Sequence, residues 1–482
     1  MAMAVCLAAL ALAGGAPAAD IGANDDTGKF AVDSGSVFFG QMGAIGLKQS
    51  VMTTRFLPSD PLTIQDGEAL DRAIPVAELA GLHVALAVYP YPPREIEDGT
   101  ATPAGFATWL TLVAQRYPTV HQYVLMNEPN QPAFLRPQFG PTGKIVSAAR
   151  AGAFLAAGYD ALKAVDPEIE VIGLGLSPRG NDQPTATSNI STSPVRFLAA
   201  LGAWYRASGR LLPLMDGLSF HPYPDQAIDP LERGYHWPKA GFANLDRIKQ
   251  AMWDAFRETP QPTTVNGLRL YLDEVGWQVD TSTLTGYTGT ENVQVTNDAT
   301  QARVYSELVH DAACDPQIAE VNIFGFYDDG PRDSGFQAAL NHVDGTPRAS
   351  AASVQTAIAE SANGCGGSSS WWVPAKRVIG AVAPVWAVDP TRQTIRFQAA
   401  ADEGAAVVAC LIPGAHGGVA TAALMARRTA TSPGCKSGRV MPLHPVSFAI
   451  KRTLPLRPAT VAVRLVAETS AKRFNTFSRT VR

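Results

Sequence analysis

Two glutamates in this chain sit where paired carboxylates could do chemistry. Glu128 lies in Asn127-Glu128-Pro129-Asn130, and Glu274 is followed by Val275-Gly276-Trp277; each ends a short apolar run rich in β-branched or aromatic residues. A carboxyl at the end of a strand is held at the rim of a sheet, where a substrate can reach it. The proline after Glu128 stops its strand at that point. If the fold brings the two into one cleft, one carboxyl with a raised pKa could protonate a leaving oxygen, while an ionised partner meets an oxocarbenium-like carbon. That is the equipment for hydrolysing a glycosidic bond. The competing reading is a pair of surface carboxylates at helix N-termini.

The elements that must position them repeat along the chain. Short apolar runs occur at Ile21–Asp25, Ser50–Phe56, His83–Tyr89, Gln122–Asn127, Glu170–Leu176, Asp216–His221, Leu268–Glu274 and Glu320–Tyr327. Between them lie segments with apolar residues at spacings of three and four, for example from Ala104 and from Ala149, so the pattern is strand then helix, eight times over. Nothing after the first run resembles a glycine-rich phosphate loop, and eight consecutive units favour a closed (β/α)8 barrel over an open doubly wound sheet. The expected organisation is a leader at residues 1–19, an α/β barrel over 20–365, a Gly/Ser linker over 366–373 and a small β-sandwich over 374–482, where period-two runs replace helical periodicity.

The pattern of residues at strand ends resembles a large clan of retaining (β/α)8 glycoside hydrolases that includes the family 5 cellulases and the family 39 xylosidases. The similarity rests on Asn127 and Glu128 after the fourth run, His221-Pro222-Tyr223 after the sixth, Glu274 after the seventh and Arg55 ending the second. The resemblance implies that Asn127 contacts a substrate hydroxyl, that Glu128 is the acid/base and that Glu274 is the nucleophile. In physical terms, Arg55 and Tyr223 could hydrogen-bond Glu274 and keep it ionised, His221 could orient substrate or a neighbouring side chain, and Trp277 could offer a flat face to a sugar. A structural ion pair is the alternative for Arg55, and simple packing for Trp277. The chain departs from the cellulase pattern after the third run, where Tyr89 and Tyr91 replace a histidine. It departs again after the eighth, where Phe326-Tyr327-Asp328-Asp329 replaces a tryptophan. Tyr327 is then the candidate platform, and the two aspartates are either binders of a hydroxyl-rich or cationic group or a solvated loop.

Composition fits this reading. A net charge of −4 over 482 residues supplies no basic field for nucleic acid, and after the first twenty residues no apolar run is long enough to span a bilayer. The start of the chain has an apolar core followed by Ala16-Pro17-Ala18, which reads as an export signal, so a secreted protein is expected. Without Cys6 the cysteines are Cys314, Cys365, Cys410 and Cys435. None has CxxC or zinc-like spacing, and pairing within each domain predicts the disulfides 314–365 and 410–435. The last 47 residues, from Lys436, carry ten Lys and Arg against the single acid Glu468, which suits a basic face or a solvated strand surface. The expected partner is a carbohydrate, with no cofactor, and the sequence is silent on oligomeric state. A non-catalytic carbohydrate-binding or wall-associated barrel and a transglycosylase are the other readings; loss of one carboxylate would mark the former, and both are present.

Overall fold

The computed structural model describes residues 18–362 except 292, and beyond these 364–365, 372, 374, 381–388, 394–401, 405–414, 416, 418–429, 431–440, 446–452, 458–467 and 474–481. The expected leader and linker fall almost wholly outside these residues. The chain divides into two compact units, Met1–Val373 and Pro374–Arg482.

The first unit is a closed barrel of eight parallel strands: β1 (Asp20–Asn24), β2 (Gln49–Phe56), β3 (His83–Pro90), β4 (Gln122–Leu125), β5 (Glu170–Leu176), β6 (Gly217–Phe220), β7 (Arg269–Val275) and β8 (Ile318–Phe324). It closes where Gly22 of β1 pairs with Asn322 of β8. Both faces of such a sheet are covered, which is why these strands read as continuous apolar runs. Val51, Ala85, Ala87, Val124, Ile172, Tyr271 and Ala319 form a small cluster of their own. Alternate neighbours such as Met52, Leu86, Leu125, Val171 and Leu272 join the main core. Two faces of one strand thus feed two cores, as the period of two requires.

The helices are α1 (Thr27–Phe30), α2 (Ser36–Ala44), α3 (Gly67–Leu79), α4 (Pro93–Glu97), α5 (Pro103–Arg116), α6 (Ser147–Val165), α7 (Pro194–Ser208), α8 (Leu245–Phe256), α9 (Asp298–Ala313) and α10 (Ala349–Ser361). Proline at the first position of α5 and α7 has no N–H to leave unpaired and its φ is already helical, so it starts both helices without cost. Thr102 caps α5 by accepting from the Gly105 N–H, and Asn297 caps α9 by accepting from the Thr300 N–H.

Two irregularities in the barrel matter for the site. Along β7 and β8, Leu272 pairs with Val321 but Val275 pairs with Ile323, so β7 carries one extra residue at Asp273-Glu274. Along β5 and β6, Gly173 pairs with Leu218 but Leu176 with Phe220, and the extra residue lies at Leu174-Gly175, both at positive φ. Bulges of this kind turn side chains out of the strict alternation. Near the strand beginnings, away from these bulges, Gln122 Nε2 donates to Glu170 at 3.1 Å and to Glu320 at 2.7 Å, while Tyr271 donates to Glu170. Burial pushes Glu320 up to about 8, so this polar plug tolerates two adjacent carboxyls by keeping one protonated.

The second unit holds two antiparallel sheets. One has the order β13-β10-β9 and the other β12-β11-β14-β15, with β9 (Ala381–Val388), β10 (Thr394–Ala401), β11 (Ala405–Pro413), β12 (Cys435–Val440), β13 (Val446–Lys451), β14 (Ala459–Ala467) and β15 (Phe474–Val481). One expectation fails here: α11 (Gly418–Ala426), GVATAALMA, is a helix inside the supposed all-β region and packs on β14 and β15. Four alanines with Leu and Met favour a helix locally, and a stretch this short shows little periodicity to read. The disulfides join Cys314 to Cys365 and Cys410 to Cys435, the latter linking paired positions of β11 and β12.

Candidate active site

The site is built where β4, β6 and β7 end. Beyond β4 the backbone takes positive φ at Met126 (73°) and Glu128 (37°), conformations that cost a non-glycine residue about 1–3 kcal/mol each and persist only when their surroundings dictate them. The dictating contacts are visible. The Glu128 N–H donates to Gly175 O at 2.9 Å, across to the bulge of β5. Two residues on, buried Asn130 donates to Ser177 O at 3.0 Å and Thr192 O at 2.9 Å and accepts from the Ser177 N–H at 3.0 Å. The second asparagine of NEPN is therefore a clamp that fixes the first three residues, not a ligand.

His221 follows β6 and is the hub. Its ring is fully buried, with Nδ1 3.3 Å from Glu128 Oε1 and 3.4 Å from Glu274 Oε2. On the other side, Nε2 lies 3.2 Å from Asp273 Oδ1 in an ionic contact outside hydrogen-bond geometry, and Ser219 Oγ donates to the same Asp273 oxygen. Gly175 makes room for the ring, because a Cβ there would stand 2.9 Å from Nε2. Tyr223 OH donates to Glu274 Oε2 at 3.1 Å. Two carboxylates on one nitrogen cannot be far apart: laid end to end, the two contacts allow these oxygens about 6.7 Å at most.

Electrostatics follow from that crowding. Burial works against charge on His221, but Glu274 and Asp273 outweigh it and hold the imidazole well above its ordinary range, as a cation. Glu274 moves from an ordinary 4.5 to about 7, chiefly by burial and then by repulsion from Glu128 and Asp273; attraction to His221 and the Tyr223 hydrogen bond offset only part. The expectation that Arg55 would keep Glu274 ionised is corrected here. Arg55 Nε instead donates to Tyr89 OH at 3.0 Å, and its guanidinium lies over the rings of Tyr89 and Tyr91. The tyrosines that replace the histidine of the third strand end supply a partner that the sequence reading did not consider.

A cavity of about 510 Å³ opens beside Glu274, and Asn24, Arg55, Tyr89, Asn127, Phe134, Phe324, Tyr327, Asp329 and Phe336 share its wall, whereas Glu128, His221 and Tyr223 do not. Asn127 and Tyr327 thus reach the same space as Glu274. Asn127 forms no hydrogen bond within the chain among the described residues, while Tyr327 OH donates to Gln41 at 2.6 Å. Trp277 does not reach it. Its indole is buried, donates to Asp229 O at 2.9 Å and packs edge-on against Tyr305 of α9, because the chain has already turned outward past the β7 bulge. Asp328 is also structural, since it pairs with buried Arg348 and accepts from Tyr287 OH at 2.7 Å; only Asp329 faces the cavity. Phe324 and Phe336, 5.5 Å apart, pack edge-on with Tyr223 and form the aromatic wall instead. Phe324 ends β8 and was readable as a strand-end aromatic, whereas Phe336 comes from the loop after it and gave no signal. Asp273 and Ser219 were also missed, although Asp273 adjoins Glu274 in sequence. Among the described residues no group of His, Cys, Asp and Glu is arranged to hold a metal ion, and no helix is long and apolar enough to cross a membrane.

No family model and no curated protein matches the chain. Solved structures do. A family 39 glycoside hydrolase from Bacteroides cellulosilyticus WH2 is similar over 90% of this chain and 81% of its own, with 15% identity and a TM-score of 0.47. GH5_18 from Streptomyces cattleya, solved in complex with GlcNAc, is similar over 76% and 84%, with 14% identity and a TM-score of 0.48. A monomeric β-xylosidase from Caulobacter crescentus CB15 is similar over 90% and 94%, with 12% identity and a TM-score of 0.44. What the site can do is decided by its own geometry.

Proposed function

We propose that this chain is a secreted retaining glycoside hydrolase that cleaves an O-glycosidic bond by double displacement, with Glu128 as acid/base and Glu274 as nucleophile. The observation that carries the proposal is the pair of glutamate oxygens on one His221 nitrogen, which caps their separation at about 6.7 Å. A retaining pair stands at about 5–5.5 Å and an inverting pair at about 6.5–9.5 Å, and an upper bound of about 6.7 Å between the facing oxygens supports the retaining spacing.

In the first step Glu128 gives its proton to the glycosidic oxygen as that bond breaks, and a Glu274 oxygen forms a bond to the anomeric carbon. In the second, Glu128 takes a proton from water as the water oxygen attacks that carbon and frees Glu274. The first step starts from a pair that shares one proton, a state that three carboxyls around one imidazolium support, and the second starts from ionised Glu128 beside the glycosyl ester of Glu274. Asn127, with its amide uncommitted, is placed to bond a sugar hydroxyl, and Phe324 and Phe336 offer apolar faces to the ring. Two disulfides suit an oxidising compartment, which supports secretion.

The raised pKa of Glu274 favours the opposite assignment, in which Glu274 is the acid. Azide separates the two. On an aryl glycoside with a good leaving group, Glu274→Ala should be inactive and rescued by azide to a glycosyl azide of inverted configuration, and Glu128→Ala should form the intermediate and yield one of retained configuration. Exchanged stereochemistry reverses the roles, and rescue of neither variant would count against a covalent intermediate.

A further inference from the structure

Within the glycosidase reading, we propose that Asp273 is a positioning residue which, with Ser219, anchors the His221 imidazolium between the two catalytic carboxyls. In a regular strand Asp273 would point away from the neighbour it precedes. The extra residue in β7 instead lets consecutive carboxyls approach the same imidazole from its two nitrogens, Asp273 at Nε2 and Glu274 at Nδ1. Ser219 of β6 and His221 just after it are two residues apart and both meet Asp273, and the serine hydroxyl donates to the oxygen that contacts Nε2. Asp273 is 3% exposed and His221 fully buried. The groups facing the imidazole are thus Asp273 and Glu274 from β7, Glu128 beyond β4 and, edge-on, the Tyr223 ring, while the Tyr223 and Ser219 hydroxyls are spent on Glu274 and Asp273.

The anchor has a chemical consequence. With one proton on the Glu128–Glu274 pair, the remaining carboxylate meets the imidazolium, and a neutral imidazole would leave that carboxylate buried without a counter-charge. After Glu274, Asp273 supplies the second counter-charge that holds the proton on His221, and it does so from outside the cavity wall and away from the reacting atoms. Its effect should therefore fall on kcat more than on KM.

The test uses the full-length protein labelled with 15N-histidine, the His221 signal being assigned by its loss in His221→Gln. In the wild type the ring should stay protonated at about pH 8; in Asp273→Asn it should be neutral there, while Asp273→Glu, which keeps the charge, should restore protonation. On an aryl glycoside the Asn variant should lose about 10–100-fold in kcat with KM within about twofold. Ser219→Ala, which removes only the hydroxyl, should move both readouts in the same direction by less, and it carries the test if Asp273→Asn does not fold. An Asp273→Asn protein with an unchanged His221 titration and unchanged kcat would overturn the proposal, as would a kcat loss without any change in His221 protonation. If the wild type turns over no glycoside at all, the glycosidase reading has failed, and the histidine titration still decides the anchor.

Discussion

Replacing Glu274 by glutamine should make the protein more stable at about pH 8 and leave it nearly unchanged at about pH 5. Glu274 binds its proton more tightly when folded, at about 7 against an ordinary 4.5, so between those values the native state holds more protons than the unfolded chain. Stability therefore falls as pH rises through that window. A shift of this size corresponds to about 3 kcal/mol of strain in the ionised native state above pH 7. The side chain is 15% exposed, so solvent screening trims the figure, and the attraction of the carboxylate for His221 is already contained in it. A net gain of about 1–2 kcal/mol remains. For a barrel of this size it should appear as a rise in Tm of about 2–4 °C at pH 8, read by calorimetry on wild type and variant at both pH values. At pH 5 the native Glu274 is already protonated, so the exchange is neutral for neutral. Equal shifts at the two pH values, or a lower Tm for the variant at pH 8, would refute the burial account of the site.

The same carboxyl pair should set the activity profile, with kcat/KM declining above about pH 7 as the shared proton leaves; a plateau extending past pH 9 would contradict it. Arg348→Met should cost about 3–5 kcal/mol, because Arg348 is the buried partner of Asp328 and also holds Asp298. Adding Asp328→Leu should recover most of the loss in denaturant unfolding, and no recovery would mean that the pair is not what ties these loops together. Phe336→Ala should raise KM for a glycoside several-fold, whereas Trp277→Phe should leave KM unchanged and cost about 1 kcal/mol for the lost indole hydrogen bond. A KM change confined to the Trp277 variant would put the sugar on the wrong aromatic.

Much of the architecture was legible because apolar periodicity and barrel closure depend on many residues at once. The eight runs are the eight strands, and helices expected from Ala104 and Ala149 start at Pro103 and Ser147. The candidate acids were legible for a related reason, since a barrel exposes catalytic groups only at strand ends and few strands here end in an ionisable residue. Partners were harder. Arg55 was assigned to Glu274 by charge, but a guanidinium stacks on tyrosine as readily as it pairs with a carboxylate, and strand order alone does not say which neighbour lies nearer. Asp328 and Asp329 looked alike in sequence; one is sealed by Arg348, twenty residues later in the chain, and the other faces the cavity.

The deepest gap between sequence and site comes from the two bulges. Reading a strand by alternation assigns Asp273 and Glu274 to opposite faces and treats Leu174-Gly175 as ordinary barrel wall. With one residue added to β7 and one to β5, Asp273 swings to His221 and Gly175 opens the space that the imidazole fills. Each insertion adds a single residue to a continuous apolar run, which leaves no mark in the apolar pattern. The irregular positions are where the candidate groups converge, and Asp273 directly before Glu274 is the mark they leave in the sequence. A strand end carrying two consecutive carboxylates, with a histidine ending the strand beside it, should therefore be read as a bulge that presents both to one ring, not as one inward and one outward residue.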